Sequence, residues 1–264
     1  MCFASPSRTP SSKRVAQGFS PPKKQPSAGC RSRPAEEIRM CEKLAQFDAV
    51  PELIAALHWQ GAVDQRSPLQ ARALVTAQEQ ITLLHRERDN LVFDEVRWGW
   101  RPRWAKVDRL QANARVDKVT HSSYWRPIWQ HRAVCPVSGW FEFRDDAAGS
   151  RQAFYIRRRD GQPSLIAAAG QFPRDGREAQ AEDGFVLLVA ERRGSLIDEQ
   201  ALRPVVLAPP VALEWLDNGT DKQRAEAIAQ GGGEADETFE WFALDGTPEG
   251  LSIDGLRAIA GHTL

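Results

Sequence analysis

Short apolar segments, separated by residues that favour turns, constrain the fold of this chain more than any other feature. Segments of this length and spacing predict β-strands joined by hairpins. The clearest pair, QITLLHRE and LVFDEVRW, lies on either side of Asp89 and Asn90 and predicts a hairpin. The other predicted strands are QANARV, AVCPV, WFEF, QAFYIRR, SLIAAAGQF, GFVLLVA, RPVVLA and FEWFAL. A chain with this many strands is expected to build its core on a β-sheet.

Four segments predict helices between these strands. VPELIAALHW and PVALEWLD have a proline where a helix begins, at Pro51 and Pro210, followed by apolar residues at helical spacing. SSYWRPIW and DKQRAEAIAQ are the other two, and three glycines follow the latter. Residues 60–78 predict a loop with a short helix. Together these elements predict an α+β fold with a mostly antiparallel, barrel-like sheet and flanking helices.

The first 39 residues differ in composition from the rest of the chain. They carry eight lysines and arginines against two glutamates, although the whole chain of 264 residues has a formal net charge of +0. They are also rich in serine and proline and poor in aliphatic side chains, so little burial offsets the entropy cost of ordering. We therefore predict a disordered basic extension over 1–39, or sequence upstream of the true start, followed by one domain over 40–264.

Membrane proteins and metal-centred proteins are not expected. The sequence contains no apolar run near the roughly 18 residues that a membrane-spanning helix needs. Its four cysteines show no Cys-x-x-Cys spacing, which argues against a zinc site and against a disulfide framework. We expect a cytoplasmic monomer that uses no metal and no cofactor.

The segment RAVCPVSGWFEF places one carboxylate, that of Glu142, among valines and aromatic residues. Burying an unpaired carboxylate costs free energy and favours its protonated form. Such an acid is either a proton-transfer group or a strand-edge glutamate paired with an arginine such as Arg115. The residues alone favour the second interpretation.

Basic and aromatic residues are interleaved between Arg97 and Arg132. This stretch has nine lysines and arginines against two aspartates, and it holds five of the nine tryptophans of the chain. Basic side chains bind phosphates and indole rings stack on unpaired bases, so the pattern suits single-stranded nucleic acid. The alternative is that the tryptophans pack in the core while the arginines are solvated, and composition alone favours this alternative.

The order of several short motifs favours the nucleic-acid interpretation over the core-packing alternative. RWGWRPRWAK, NAR at 113–115, HRAVCPVSGWFEF, GQF and RPVVL follow one another along the chain. The SOS response-associated peptidase (SRAP) family has the patterns W-G-x-x-P-x-W, N-A-R-x-E, R-C-L-V-P-x-x-G-F-Y-E-W, A-G-L-W and H-D-R-M-P in the same order. The chain therefore resembles this family over about residues 40–245.

The resemblance implies a specific chemistry. Members of the family carry a cysteine directly after the initiator methionine, remove that methionine, and capture abasic sites in single-stranded DNA. The α-amine adds to the aldehyde of the opened sugar and the thiol closes a thiazolidine, so one residue supplies both nucleophiles. The resemblance also implies self-processing peptidase and lyase activity.

The resemblance implies the site residues as well. Glu142 aligns with the catalytic glutamate of the family, and Asn113 with the asparagine that orients the cysteine and the sugar. Arg115 is similar to a phosphate-binding arginine, while Trp98 and Trp104 are similar to the wedge beside the lesion. The expected partner is single-stranded DNA, especially with abasic sites.

Two cysteines compete for the role of nucleophile. Cys2 follows the first methionine, but the residues after it lack the family pattern. Cys41 follows Met40, and its segment MCEKLAQFDAVPEL lies closer to RALVTAQ, which resembles the family's R-Y-N-V-A-P. We favour Cys41, with Met40 as the functional start or with residues 1–39 removed. The alternative for Cys41 is a buried structural thiol on a helix.

The sequence departs from the family pattern close to these residues. Glu42 and Lys43 replace the Gly-Arg that follows the cysteine, Leu74 replaces the asparagine of R-Y-N-V-A-P, and Gln200 replaces the histidine of H-D-R. Glutamine cannot accept and release a proton near neutral pH. The alternatives to covalent capture are therefore a SRAP-fold protein that only binds single-stranded DNA and a cysteine-type hydrolase or autoprotease.

Overall fold

The structure, a computed structural model, describes residues 42–106, 108–145, 149–191, 197 and 202–261. The predicted extension over 1–39 and its boundary with the domain lie outside these residues. The same holds for Cys2, Cys41 and Gln200.

The described residues form an α+β fold with thirteen strands and five α-helices. The strands are β1 (Lys43–Gln46), β2 (Val63–Gln65), β3 (Arg72–Thr76), β4 (Gln80–Glu87), β5 (Asn90–Arg97), β6 (Asn113–Arg115), β7 (Arg132–Val137), β8 (Gly139–Asp145), β9 (Arg151–Arg158), β10 (Ser164–Gln171), β11 (Gly184–Glu191), β12 (Leu202–Pro204) and β13 (Phe239–Ala243). The helices are α1 (Val50–Leu57), α2 (Val116–Val119), α3 (Pro209–Leu216), α4 (Lys222–Gly231) and α5 (Ile253–Gly261).

The strands form two sheets. The five-stranded sheet has the order β13-β9-β8-β1-β3. The eight-stranded sheet has the order β12-β11-β10-β7-β4-β5-β2, and β6 pairs with β11. Apart from the parallel pairs β2–β5 and β6–β11, the described strand pairs are antiparallel. The predicted α+β fold with a mostly antiparallel sheet is therefore confirmed, but among the described residues the two sheets do not close into a single barrel.

Three apolar clusters hold these elements together. The inter-sheet layer, which contains Leu44, Trp98, Trp140 and Phe185, is packed between the two sheets. A second cluster joins the other face of the eight-stranded sheet to α1, α3 and α4. A third cluster lies between the outer face of the five-stranded sheet and α5, with Leu256 at its centre. Both faces of both sheets are thus covered, which explains why so many strand residues are apolar on consecutive positions.

Several local predictions are confirmed. Strands β4 and β5 pair in register from Gln80↔Arg97 to Glu87↔Asn90, as the hairpin prediction required. Helix α1 has Pro51 in its first turn, and the Glu52 carboxylate accepts a 2.8 Å hydrogen bond from the N–H of Ala49. Helix α4 begins after Asp221, whose side chain accepts the N–H of Arg224 at 2.8 Å.

Other local predictions are wrong. SSYWRPIW forms consecutive turns instead of a helix, with bonds from the N–H of Trp125 to the carbonyl of Ser122 and from Ile128 to Trp125. Pro127 lies in the middle of this segment and lacks an N–H to donate, which is consistent with the broken pattern. Residues 60–78 contain β2 and β3 rather than a short helix, and α5 was not predicted.

Candidate functional site

Glu142 lies on β8 with its side chain directed into the inter-sheet layer. Side chains alternate along a strand, so Trp140 and Glu142 face this layer while Phe141 and Phe143 face the outer cluster. Glu142 pairs with Phe154 of β9 and is only 9% exposed. The sequence therefore places a carboxylate inside the protein, as its apolar surroundings predicted.

Two hydrogen donors approach the same oxygen of this carboxylate. The indole N–H of Trp140 donates to Oε1 at 3.0 Å, and Nε of Arg203 lies 3.6 Å from Oε1. The Arg203 side chain is 4% exposed and also donates from Nη1 to Oδ2 of Asp236 at 3.0 Å. The buried acid is thus paired with an arginine, but with Arg203 and not with Arg115.

A cleft of ≈ 200 Å³ lies at the beginning of β1. Asn113, at the start of β6 and 4% exposed, lines it together with Glu42 and the end of the β5 hairpin at Trp98. The backbone of Glu42 is held here because its carbonyl accepts the N–H of Ala77 at 3.3 Å. The structure therefore brings Asn113 and Trp98 to the start of β1.

The register of β1 against β8 relates the start of β1 to Glu142. Leu44 is opposite Trp140 and Ala45 is opposite Gly139 in an antiparallel pair. One step back along β1 corresponds to one step forward along β8, so the chain at Glu42 reaches the level of Glu142. Asn113 thus lies in the cleft beside Glu42, and the β1–β8 register, extended by two residues, puts Glu142 opposite Glu42.

The two predicted wedge tryptophans differ in exposure. Trp98 is 0% exposed, and its indole N–H donates to the carbonyl of Ala112 at 2.9 Å, so its ring is part of the inter-sheet layer. Trp104 is 62% exposed and contacts Tyr124 edge-on, with ring centroids 5.8 Å apart. Base stacking on Trp98 stays a prediction, whereas Trp104 presents an accessible ring in this structure.

Arg115 lies at the end of β6 within an ion-pair cluster. Its Nε donates to Asp117 at 3.0 Å and its Nη2 donates to Glu191 at 2.7 Å. The hydrogen bond that Arg115 donates to Asp117 raises the pKa of Arg115, and the same bond lowers the pKa of Asp117. A phosphate that binds Arg115 would therefore compete with these two carboxylates.

Cys135 is the one cysteine within the part of the chain that the structure describes. It is 0% exposed in the inter-sheet layer, and burial raises the pKa of its thiol far above the usual range. A buried, protonated thiol is a poor nucleophile. Cys135 is therefore unsuited to act as a nucleophile, and the other three cysteines, Cys2, Cys30 and Cys41, lie outside the described residues.

Neither a metal centre nor a membrane span is found in the described part of the chain. No group of three or more histidine, cysteine, aspartate or glutamate side chains there is arranged to hold a metal ion. No described helix is both long enough and apolar enough to cross a bilayer.

Sequence reasoning missed Arg203 and Asp236. A signal was present, because Arg203 stands directly before Pro204, where the pattern H-D-R-M-P has methionine. A charged residue in an otherwise apolar strand demands partners, and these include Asp236 at 3.0 Å and Glu142 at 3.6 Å. Leu74, which replaces a family asparagine, packs on the outer face of the five-stranded sheet.

Two curated proteins are similar to this chain in sequence. Abasic site processing protein YedK from Escherichia coli (strain K12) is 34% identical over 181 residues, which is 68% of this chain and 79% of that protein. Abasic site processing protein YoaM from Bacillus subtilis (strain 168) is 24% identical over 190 residues, covering 67% of this chain and 79% of its own length.

Solved structures share the fold. A phage-related protein from Bordetella bronchiseptica superposes with a TM-score of 0.67 at 24% identity, over 78% of this chain and 95% of that chain. A protein from Bacteroides thetaiotaomicron superposes with a TM-score of 0.58 at 18% identity, over 79% and 96% of the two chains.

The profile of one family, described as SOS response associated peptidase (SRAP), matches residues 40–245. This match covers the candidate site from the entry of β1 to β13, including Asn113, Glu142 and Arg203. This family match and the sequence relatives show that the chain belongs to the SRAP family.

Proposed function

We propose that this protein binds single-stranded DNA and captures abasic sites covalently through Cys41. The observation that carries the proposal is the register of β1 and β8, which brings the chain at Glu42 to the level of Glu142 and beside Asn113. Cys41 is the residue bonded to Glu42, so its amine and thiol would enter this site. The names of the two relatives, both abasic site processing proteins, support the same substrate.

The chemistry requires a free α-amine at Cys41. The amine adds to the aldehyde carbon of the opened abasic sugar, and loss of water gives an imine. The thiol then adds across the C=N bond, so that sulfur bonds to carbon and the proton goes to nitrogen. Because both nucleophiles belong to one residue, the second step is intramolecular and has a high effective molarity.

Glu142 and Asn113 have separate roles in this proposal. Glu142 gives a proton to the hydroxyl that leaves as water and accepts the proton released by the nucleophile. Its Oε1 is held by Trp140, so the carboxylate has a defined orientation before substrate binds. Asn113, buried at the start of β6, orients the sugar and the cysteine through its side-chain amide.

The DNA strand would follow the surface around Trp104 and Arg115. Trp104 offers an exposed ring for base stacking, and Arg115, two residues after Asn113 on β6, offers a partly exposed guanidinium. Stacking tolerates any base and phosphate contacts carry no sequence information, so the expected binding is independent of sequence.

Incubation with an abasic-site oligonucleotide, followed by a denaturing gel, tests covalent capture. We expect a covalent band from protein that begins at Met40 and loses this methionine, and no band after Cys41→Ser. A band that persists in Cys41→Ser and disappears in Cys2→Ser would assign the nucleophile to Cys2. A shift seen only on a native gel would favour a protein that binds DNA without capture. Absence of both would leave hydrolysis as the remaining candidate.

Binding is tested separately on undamaged single-stranded DNA. Trp104→Ala should weaken binding by about 1–3 kcal/mol with little dependence on salt. Trp241→Ala is the matched control, because Trp241 is the other strongly exposed tryptophan of the described residues, at 42%. Arg115→Ala should lower the slope of log K against log salt by about 0.7, the value for one phosphate contact on a single strand. Equal effects of the two tryptophan variants would argue against a binding surface at Trp104.

A further inference from the structure

We propose that Arg203 is a positioning residue that holds Glu142 in place for the proton transfers of abasic-site capture. The proposal rests on the function proposed above and adds a residue to it. Arg203 would not touch the DNA; it would act through the carboxylate of Glu142. The function proposed above assigns no role to this residue.

Arg203 connects the two sheets across the inter-sheet layer. Its backbone belongs to β12 of the eight-stranded sheet, where it is opposite Ala190 of β11. Its guanidinium reaches Glu142 on β8 and Asp236 just before β13, both associated with the five-stranded sheet. One side chain anchored on one sheet thus sets the position of a carboxylate on the other.

The contacts restrict the carboxylate itself. The 3.6 Å separation of Nε from Oε1 is an ion-pair distance, longer than a hydrogen bond, and Trp140 donates to the same oxygen at 3.0 Å. Asp236 fixes the guanidinium at 3.0 Å from the other side. Holding Oε1 also sets the plane of the carboxylate and hence the direction of its second oxygen.

Burial affects both the strength of this ion pair and the free-energy cost of forming it. The side chains of Arg203 and Glu142 are 4% and 9% exposed, so water screens their interaction very little. A buried ion pair is no general source of stability, because desolvation offsets the attraction between the charges. A role in orientation therefore accounts for the pair better than stability alone.

The test is a double-mutant cycle on the rate of capture at saturating DNA. Arg203→Lys keeps the charge but loses the planar fork, and we expect capture to slow about 10²-fold, as for a misplacement near 1 Å. The DNA concentration at half-saturation should stay unchanged. Arg157→Lys is the matched control, since Arg157 forms a comparable ion pair with Glu240 outside the site, at 2.8 Å.

Arg203→Met is then made both in the parent protein and in a Glu142→Gln background, which completes the cycle. If Arg203 acts through Glu142, Glu142→Gln and Glu142→Gln/Arg203→Met should capture at equal rates, because no carboxylate remains to position. This double variant also avoids an unpaired buried charge, so it remains informative if single variants fold poorly. A further loss of rate in the double variant would overturn the proposal, as would an unchanged rate in a folded Arg203→Lys. If the unmodified protein forms no covalent product while it still binds DNA, the proposed capture fails first and this inference with it.

Discussion

Glu142 and His85 are two titratable groups buried around the same inter-sheet layer, and they differ in their polar partners. Glu142 has an indole N–H at 3.0 Å and a guanidinium at 3.6 Å. His85, on β4, is 1% exposed, and neither ring nitrogen has a hydrogen-bond partner in the described part of the structure. Its ring packs against Phe172 instead, with centroids 4.6 Å apart.

The difference lies in the partners of each side chain. Burial, together with the nearby guanidinium groups of Arg66 and Arg174, lowers the pKa of His85 to about 3. The imidazole is therefore neutral near pH 7 and behaves as part of the apolar packing. Glu142, by contrast, has an indole N–H and a guanidinium directed at its Oε1. Burial alone therefore does not identify a functional acid or base. The hydrogen-bonding and ionic partners of the side chain are needed as well.

The largest expected effect concerns the proposed role of Glu142 as a proton carrier. Glu142→Gln keeps the shape of the side chain but cannot transfer a proton, so covalent capture should slow by about 10²–10⁴-fold. The measurement is the rate of cross-linked product on a denaturing gel, with DNA affinity measured in parallel. Glu240→Gln is the control, because Glu240 is also a buried glutamate paired with an arginine. Loss of affinity equal to the loss of rate would make Glu142 a structural residue.

A second prediction removes the cation of the pair. Arg203→Met leaves the Glu142 carboxylate buried beside no arginine, and the free energy of unfolding should fall by about 3–5 kcal/mol. Urea denaturation measures this loss. Glu142→Gln/Arg203→Met should regain part of it, because residue 142 then carries no charge, although Asp236 has lost its contact with Arg203. If the double variant loses as much as the single one, the pair does not interact as its geometry suggests.

A third prediction uses the pH dependence of stability at His85. Because its pKa is about 3 in the folded protein and 6.5 without the fold, the unfolded chain takes up the proton first as the pH falls. The contribution of His85 to the free energy of unfolding is constant above about pH 6.5. Below that pH it is lost by about 1.4 kcal/mol per pH unit. Lowering the pH from 6.5 to 4.5 should thus cost about 2–3 kcal/mol more in the parent protein than in His85→Phe.

The control for this measurement is His58, an exposed histidine on the first turn after α1. His58→Phe should keep the acid sensitivity of the parent protein. At pH 7, His85→Phe should change stability by only about 1 kcal/mol, because an apolar ring replaces a neutral ring without hydrogen bonds. An unchanged acid sensitivity in His85→Phe would contradict the comparison.

The smallest expected effect is at Asp236. Asp236→Asn keeps an oxygen that can accept the hydrogen bond from Arg203 but removes the charge, so stability should fall by about 1 kcal/mol. The same variant should slow capture less than Arg203→Lys does, because Arg203 still faces Glu142. Thermal unfolding and the cross-linking assay measure the two effects. A larger effect from Asp236→Asn than from Arg203→Lys would place the functional contact at Asp236.

Much of the fold could be predicted because its signals are local. The β4–β5 hairpin follows from two strand patterns around Asp89 and Asn90, and α1 follows from helical spacing after Pro51. The helix predicted for SSYWRPIW is wrong because its apolar spacing is compatible with a helix, whereas its backbone forms consecutive turns around Pro127, which has no N–H to donate. The family motifs identified the chain, since their order does not depend on how the strands pair.

The candidate site could be predicted only in part. Glu142 and Asn113 stood out by motif, and the structure places Asn113 beside Glu42 and, by the extended β1–β8 register, Glu142 opposite Glu42. Arg203 did not, although it is the arginine that Glu142 contacts. Its partner lies 61 residues earlier in the chain, between strands of different sheets, and the sequence alone does not specify that distance.

The tryptophans show which features the sequence determines and which features only the tertiary structure determines. By itself, the sequence determined that basic and aromatic residues are concentrated between Arg97 and Arg132 and that Glu142 lies in an apolar strand. Only the tertiary structure decided that Trp98 is enclosed while Trp104 is exposed, and that Arg203 rather than Arg115 meets Glu142. The physical reason is that composition and periodicity are properties of neighbouring residues. Burial and ion pairing depend on which distant strands pack together, and so they are settled only when the two sheets close over their common layer.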